Sequence, residues 1–230
     1  MGHVLGAGMS WARRADQLAP PWVRRGVRRL PVAAHLGALH RTRARWEQEY
    51  EAGDWDRLGD LDELGRYSII AGYVRHLGGA PRILDIGCGN GVMANALRPL
   101  QHTYVGCDHA LAALKKASGS EGKAAVLLAA DAGRLPLASG SFDVVICNEV
   151  LNYLPDVAAA LDEALRVLAP GGRLIVSLFD AFGREQRDCW DQVRKVCHVD
   201  DMVAVAHLKS RLTWRVALLT ASSCIVGSAP

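Results

Sequence analysis

Residues 1–30 mix short apolar stretches with paired arginines around Pro20-Pro21, and no period is sustained, which predicts a loosely packed leader. From Pro31, a favoured first residue of a helix, apolar positions recur at Val32, Leu36, Leu39, Trp46 and Tyr50. That spacing predicts one helical face running to about residue 50. The stretch "EAGDWDRLGD" (51–60) interrupts it, and residues 61–78 read as a second amphipathic helix.

Beyond residue 80 the pattern changes to short apolar runs separated by helical periods. Strands are predicted at 82–86 ("RILDI"), 103–108 ("TYVGCD"), 124–130 ("AAVLLAA"), 142–148 ("FDVVICN") and 171–179 ("GGRLIVSLF"). Helices are predicted over 91–98, 110–117, 156–168 and about 184–197. Unbroken apolar strands alternating with helices imply a parallel sheet covered on both faces. The tail differs: 200–207 and 213–219 are strand-like and joined by only a short polar turn, so they predict an antiparallel hairpin at the sheet edge. We divide the chain into a basic N-terminal extension with a helical lid, residues 1–60, and a sheet domain, residues 61–230.

Composition adds a charge asymmetry. The net charge is +3, yet residues 1–45 hold nine arginines and one acid, so they carry +8 and the remainder −5. Such a leader suits a solvated helix face, with contact to an anionic partner as the sharper alternative. Six scattered cysteines form no CxxC pair, and no His/Cys cluster has metal-ligand spacing, so reduced thiols and no metal are expected. No apolar run approaches the roughly 20 residues of a membrane span, and "MGHVLGAG" lacks the basic start of a secretory signal, so the expected place is the cytoplasm.

The candidate chemistry begins at "DIGCGNG", Asp85 to Gly91, where three glycines follow the first strand. Glycines there let the backbone turn tightly and a ligand approach the peptide groups. Asp108 ends the second strand, where an acid can accept bonds from both hydroxyls of a ribose or cap the following helix. Asp131 closes the third strand at the same sheet edge, in reach of an adenine amino group. Together these positions describe a crevice for a nucleoside.

In "ILDIGCGNG", "YVGCDHA", "AADAGRLPLASGSFDVVICNEVLNYLPD" and "VLAPGGRLIVSL" the chain resembles class I S-adenosylmethionine-dependent methyltransferases, over roughly residues 60–220. The variety it is most similar to is the small-molecule group that includes quinone-biosynthesis enzymes. The resemblance implies an α/β, Rossmann-like, doubly wound and mostly parallel seven-stranded sheet with an antiparallel C-terminal edge hairpin. It implies S-adenosyl-L-methionine as cofactor, with S-adenosyl-L-homocysteine as product and a small-molecule methyl acceptor as partner. By the same resemblance Asp85, Gly87, Cys88 and Gly89 would hold the methionyl end, Asp108 with His109 behind it the ribose, Asp131 and Ala132 the adenine, and Asn148 the strand-four edge. Trp55 and Tyr67 would fold over the cofactor, with Arg66 or Tyr67 in reach of its carboxylate, while Trp46 and Tyr50 read as helix core.

For methyl transfer the expected catalytic residues are Tyr153 and Asp180, just past strands four and five. Where the small-molecule group often carries Glu-His, this chain has Asn152-Tyr153, which argues against a histidine base. With about twenty residues between strand five and the hairpin, the acceptor pocket must be roofed by the N-terminal segment. Two other readings stand beside this one. Methylation of RNA or protein would use the basic leader, although "NEVL" at 148–151 is not the "NPPY" type of many base-amino enzymes. A cofactor-bound enzyme or scaffold that transfers no methyl is the other.

Overall fold

The computed structural model describes residues 42–120, 125–180, 184–210 and 212–222. They belong to one compact unit, Leu39–Pro230. The leader and the first part of the helix expected from Pro31 lie outside the described residues.

Two helices precede the sheet, α1 (Arg43–Ala52) and α2 (Leu64–Leu77), with a 3₁₀ turn at Asp56–Gly59 between them. The helix bearing Trp46 and Tyr50 starts at Arg43, later than expected. Thr42 is extended (φ −69°, ψ 157°) and its side chain accepts from the Arg45 N–H, which makes it the N-cap at which α1 begins. Gly53, left-handed at φ 83°, closes α1 by donating its N–H to the Glu49 and Tyr50 carbonyls.

The sheet then builds in alternation: β1 (Arg82–Ile86), α3 (Val92–Leu97), β2 (Thr103–Asp108), α4 (Leu111–Ser120), β3 (Ala125–Ala129), β4 (Phe142–Asn148), a 3₁₀ turn (Leu151–Tyr153), α5 (Val157–Val167), β5 (Leu168–Phe179), α6 (Arg184–Val196), β6 (Cys197–Ala206) and β7 (Thr213–Ala221). Two strands begin three residues earlier than expected. β5 begins three residues before the expected Gly171, with a register irregularity against β4 between Phe142 and Val144. β6 begins at Cys197, directly after α6.

The seven strands run in the order β3-β2-β1-β4-β5-β7-β6. β1 to β5 pair parallel, while β7 pairs antiparallel to both β5 and β6. The expected fold class is thus what the chain adopts. Alternation along the central strands explains its two cores. Leu84, Ile86, Val145, Cys147, Leu174 and Val176 face α5 and α6, where Leu161, Trp190 and Val193 are buried. Ile83, Val144, Ile146 and Ile175 face α2 and α3, against Ile70, Val74, Met93 and Leu97. Each such side chain contributes about 1.5–3 kcal/mol on leaving water. Strand order reverses between β1 and β4, and a crevice opens beyond their carboxyl ends, as open parallel sheets dictate.

Candidate active site

The floor of that crevice is the β1–α3 loop. Gly87 and Gly89 are left-handed at φ 70° and 56°, which an L side chain adopts only at a cost. A Cβ on Gly87 would stand 2.4 Å from Val150 Cγ2, and one on Gly89 2.9 Å from the Tyr50 hydroxyl. Bare backbone is therefore required. Gly87 and Cys88 both donate their N–H to the Cys107 carbonyl, at 2.7 and 2.9 Å, which ties the loop to the end of β2.

Asp108 accepts from the Gly89 N–H at 2.9 Å and from the Ala110 N–H at 2.8 Å. It organises the glycine loop and the approach to α4 together. Burial raises its carboxyl pKa against those N–H groups, which lower it. Asp85 is buried below the loop and accepts from the Tyr104 hydroxyl at 2.7 Å. Asp131 lies exposed, accepting from the Gly133 N–H at 2.8 Å, with Ala132 buried beside it.

At the β4 end, Asn148 Oδ1 accepts from Arg66 Nε at 3.2 Å and from the Ser177 hydroxyl at 2.7 Å. Arg66 is buried, ion-paired to Glu63, and donates to the Tyr67 hydroxyl at 2.9 Å. Its guanidinium also lies over the Trp214 ring, 5.1 Å from the centroid. Burial pushes the Tyr67 phenol up, against the lowering effect of Arg66, so it stays neutral.

The roof comes from α1 and the turn after it. Trp46, Tyr50 and Trp55 converge on Tyr153: Trp46 and Trp55 meet the Tyr153 ring edge-on at centroid distances of 5.3 and 6.2 Å. Such pairs contribute about 0.5–1.5 kcal/mol beyond their buried area. Two ties hold the roof to the floor. Glu47 accepts from the free Leu111 and Ala112 N–H groups at the start of α4, both at 2.8 Å. Asn90 of the glycine loop donates to the Trp55 carbonyl at 3.1 Å.

Roof and floor enclose a cavity of about 600 Å³, within the range typical of small-ligand sites. Asp85, Gly87, Cys88, Gly89, Asp108, His109, Asp131, Ala132, Asn148, Trp55, Tyr67 and Tyr153 all line it. Asp180 does not. It lies past β5 but is ion-paired to Arg215 of β7 at 3.1 Å, away from the cavity wall. Sequence reasoning missed Trp46 and Tyr50, assigned to helix core, and also Glu149 and Val150. The i, i+4 spacing of Trp46 and Tyr50 was the available signal, because it puts both rings on one face of α1.

Residues 84–176 match a family model described as a methyltransferase domain. That stretch, similar to a methyltransferase domain, contains the glycine loop, Asp108, Asp131 and β4. It is 31% identical over 160 residues to a malonyl-[acyl-carrier protein] O-methyltransferase of Legionella pneumophila, covering 66% of this chain and 55% of that protein. To a demethylmenaquinone methyltransferase of Beutenbergia cavernae it is 37% identical over 121 residues, 52% of this chain and 48% of the relative. The chain thus spans about half the length of these relatives. The methyltransferase fold is shared with the N-methyltransferase NodS of Bradyrhizobium japonicum, solved with S-adenosyl-L-homocysteine, at a TM-score of 0.66 and 21% identity over 78% of this chain and 97% of that one.

Proposed function

We propose that the chain is an S-adenosylmethionine-dependent methyltransferase that moves a methyl group to an oxygen, nitrogen or carbon of a small-molecule acceptor. One observation carries this reading: the glycine loop, Asp108 and Asp131, from the ends of three consecutive strands, line a single cavity under an aromatic roof. The donor and acceptor set fits the cofactor. Asp108 has lone pairs left after its two backbone bonds, enough for the ribose hydroxyls. Asp131 and Ala132 stand where an adenine would lie, and Arg66 and Tyr67 offer donors for a carboxylate at the glycine loop. Asp85, Gly87, Cys88 and Gly89 are assigned to the methionyl end, with His109 and Asn148 at the cavity edges.

The cofactor supplies an activated sulfonium methyl, so the protein's task is alignment and exclusion of water, which proximity makes worth several kcal/mol. Trp46, Trp55 and Tyr153 shape the acceptor side. The Tyr153 hydroxyl is the group we assign to the acceptor, and Asp180 drops from that role because Arg215 holds it outside the cavity. A roofed cavity favours a small acceptor over RNA or a folded protein. Five of the six cysteines are free and buried, the state of a reducing compartment, so we place the protein in the cytoplasm. No helix among the described residues is long and apolar enough to cross a membrane.

The test is transfer from methyl-labelled S-adenosylmethionine to a size-fractionated cell extract. Label in the small-molecule fraction supports the reading, and label in RNA or protein overturns the acceptor class. Tyr153→Phe keeps the ring contacts and loses the hydroxyl. Its expected outcome is a fall in kcat of about a hundredfold, at the low edge of general-base effects, with cofactor affinity unchanged.

A further inference from the structure

Glu149 is the one non-glycine residue with a left-handed backbone among the described residues, at φ 60°. That conformation turns its side chain across to β5. Glu149 Oε2 accepts from the Phe179 N–H at 3.0 Å, and Oε1 lies 3.0 Å from the Ser177 hydroxyl oxygen. The same hydroxyl oxygen lies 2.7 Å from Asn148 Oδ1, which Arg66 Nε also approaches at 3.2 Å.

Counting hydrogens leaves this group one short. Arg66 Nε and the Phe179 N–H bring one each, and neither can accept. Arg66 therefore fixes the Asn148 oxygen as the end facing it, which excludes an amide flip. Ser177 has a single hydroxyl hydrogen and two acceptors within bonding distance. At 2.7 Å the Asn148 contact takes it, so an ionised Glu149 would set a lone pair against a lone pair at 3.0 Å.

We infer that Glu149 is a positioning residue that carries a proton at neutral pH: its Oε1–H donates to Ser177, Ser177 donates to Asn148 Oδ1, and Asn148 is held with its amide nitrogen free for a cavity ligand. Asn148 and Glu149 both line the cavity. The charges around the group agree. On α2 the guanidinium of Arg66 already has Glu63 as its counter-ion, and the neutral Tyr67 lies beside it. On β1, Asp85 is a further acid lining the cavity, and from β5 come only Ser177 and a backbone N–H. Burial pushes the Glu149 carboxyl above its ordinary 4.5, with Arg66 and the Phe179 N–H opposing.

A carboxyl raised in the folded state contributes stability that is complete below its ordinary pKa and is lost as pH rises through the folded value. Glu149→Gln, which keeps a donor and an acceptor in the same places, has no such loss. The placement of the proton stands on the hydrogen bonds alone, whereas its effect on affinity rests on the cofactor reading above.

The experiment is infrared spectroscopy of the full chain with thermal melts and S-adenosylmethionine titrations, from about pH 5 to about pH 9. The expected result is a neutral-carboxyl C=O band at pH 7 that Glu149→Gln removes, and that Ser177→Ala shifts. Cofactor affinity should fall about fivefold in the wild type across the titration, the scale of one hydrogen bond, and stay level in Glu149→Gln. No such band at pH 7, or a Gln variant with the wild-type pH slope, overturns the inference. If the Gln variant fails to fold, the wild-type band and its shift in Ser177→Ala decide. A band present with no cofactor binding at any pH overturns the cofactor reading and supports the proton.

Discussion

The floor and the roof of the cavity are built on different principles. The floor is a set of strand ends tied through backbone groups: the Gly87 and Cys88 N–H groups donate to the Cys107 carbonyl, and the Gly89 and Ala110 N–H groups to the Asp108 carboxylate. The roof is one ten-residue helix and a turn, held by ring contacts and a few side-chain ties. Backbone bonds between parallel strands fix positions to tenths of an ångström, whereas rings meeting edge-on tolerate sliding. The floor therefore suits the invariant part of a reaction and the roof its variable acceptor.

The sharpest way to break this division is where Gly89 of the floor meets Tyr50 of the roof. Gly89→Ala would put a Cβ 2.9 Å from the Tyr50 hydroxyl, on a backbone at φ 56°. Left-handed strain of about 1–2 kcal/mol and overpacking of about 1–3 kcal/mol together predict a loss near a hundredfold in S-adenosylhomocysteine affinity by calorimetry. Adding Tyr50→Phe should return about tenfold, because the next Tyr50 atom lies 3.8 Å from that Cβ. A double variant no better than Gly89→Ala would place the whole cost in the floor's backbone.

Asp108→Ala is the next largest. It removes the proposed ribose acceptor and two bonds to backbone N–H groups at once, and should weaken the cofactor by more than about 1.5 kcal/mol, over tenfold. Unchanged titration calorimetry would remove Asp108 from the ribose role.

The same contrast explains what the sequence disclosed. The glycine loop, Asp108 and Asp131 sit at positions where the local pattern, strand then turn then helix, dictates where the side chain goes. Trp46 and Tyr50 were harder, because an i, i+4 apolar pair looks alike whether it faces a core or a cavity. Thr42 capped a helix in the middle of an unbroken apolar period. Asp180 misled because its partner, Arg215, arrives from β7, 35 positions away in the chain. Glu149 was missed for the same reason, since its partners Ser177 and Phe179 lie on another strand. Patterns read along the chain locate strand ends; they do not reveal which neighbouring strand supplies a counter-charge.

The smallest predicted effect tests the roof alone. Glu47 reaches from α1 to the Leu111 and Ala112 N–H groups, serving α4 as a cap supplied by another helix. Burial works to raise its carboxyl, but those two N–H groups and Arg43 bring it below the ordinary 4.5. A carboxyl lowered in the folded state contributes stability above its ordinary pKa, and that stability is lost as pH falls through the folded value. Glu47→Gln should therefore cost about 0.5–1 kcal/mol at neutral pH, a typical cap, and abolish the acid-dependent part. Tryptophan fluorescence reads it directly, since Trp46 and Trp55 both belong to the roof. On acidification below about 4.5 the wild type should loosen while the Gln variant, already weaker, changes little. Equal acid sensitivity in both would mean that the rings, not the cap, hold the roof, and the division between a hydrogen-bonded floor and an aromatic roof would be complete.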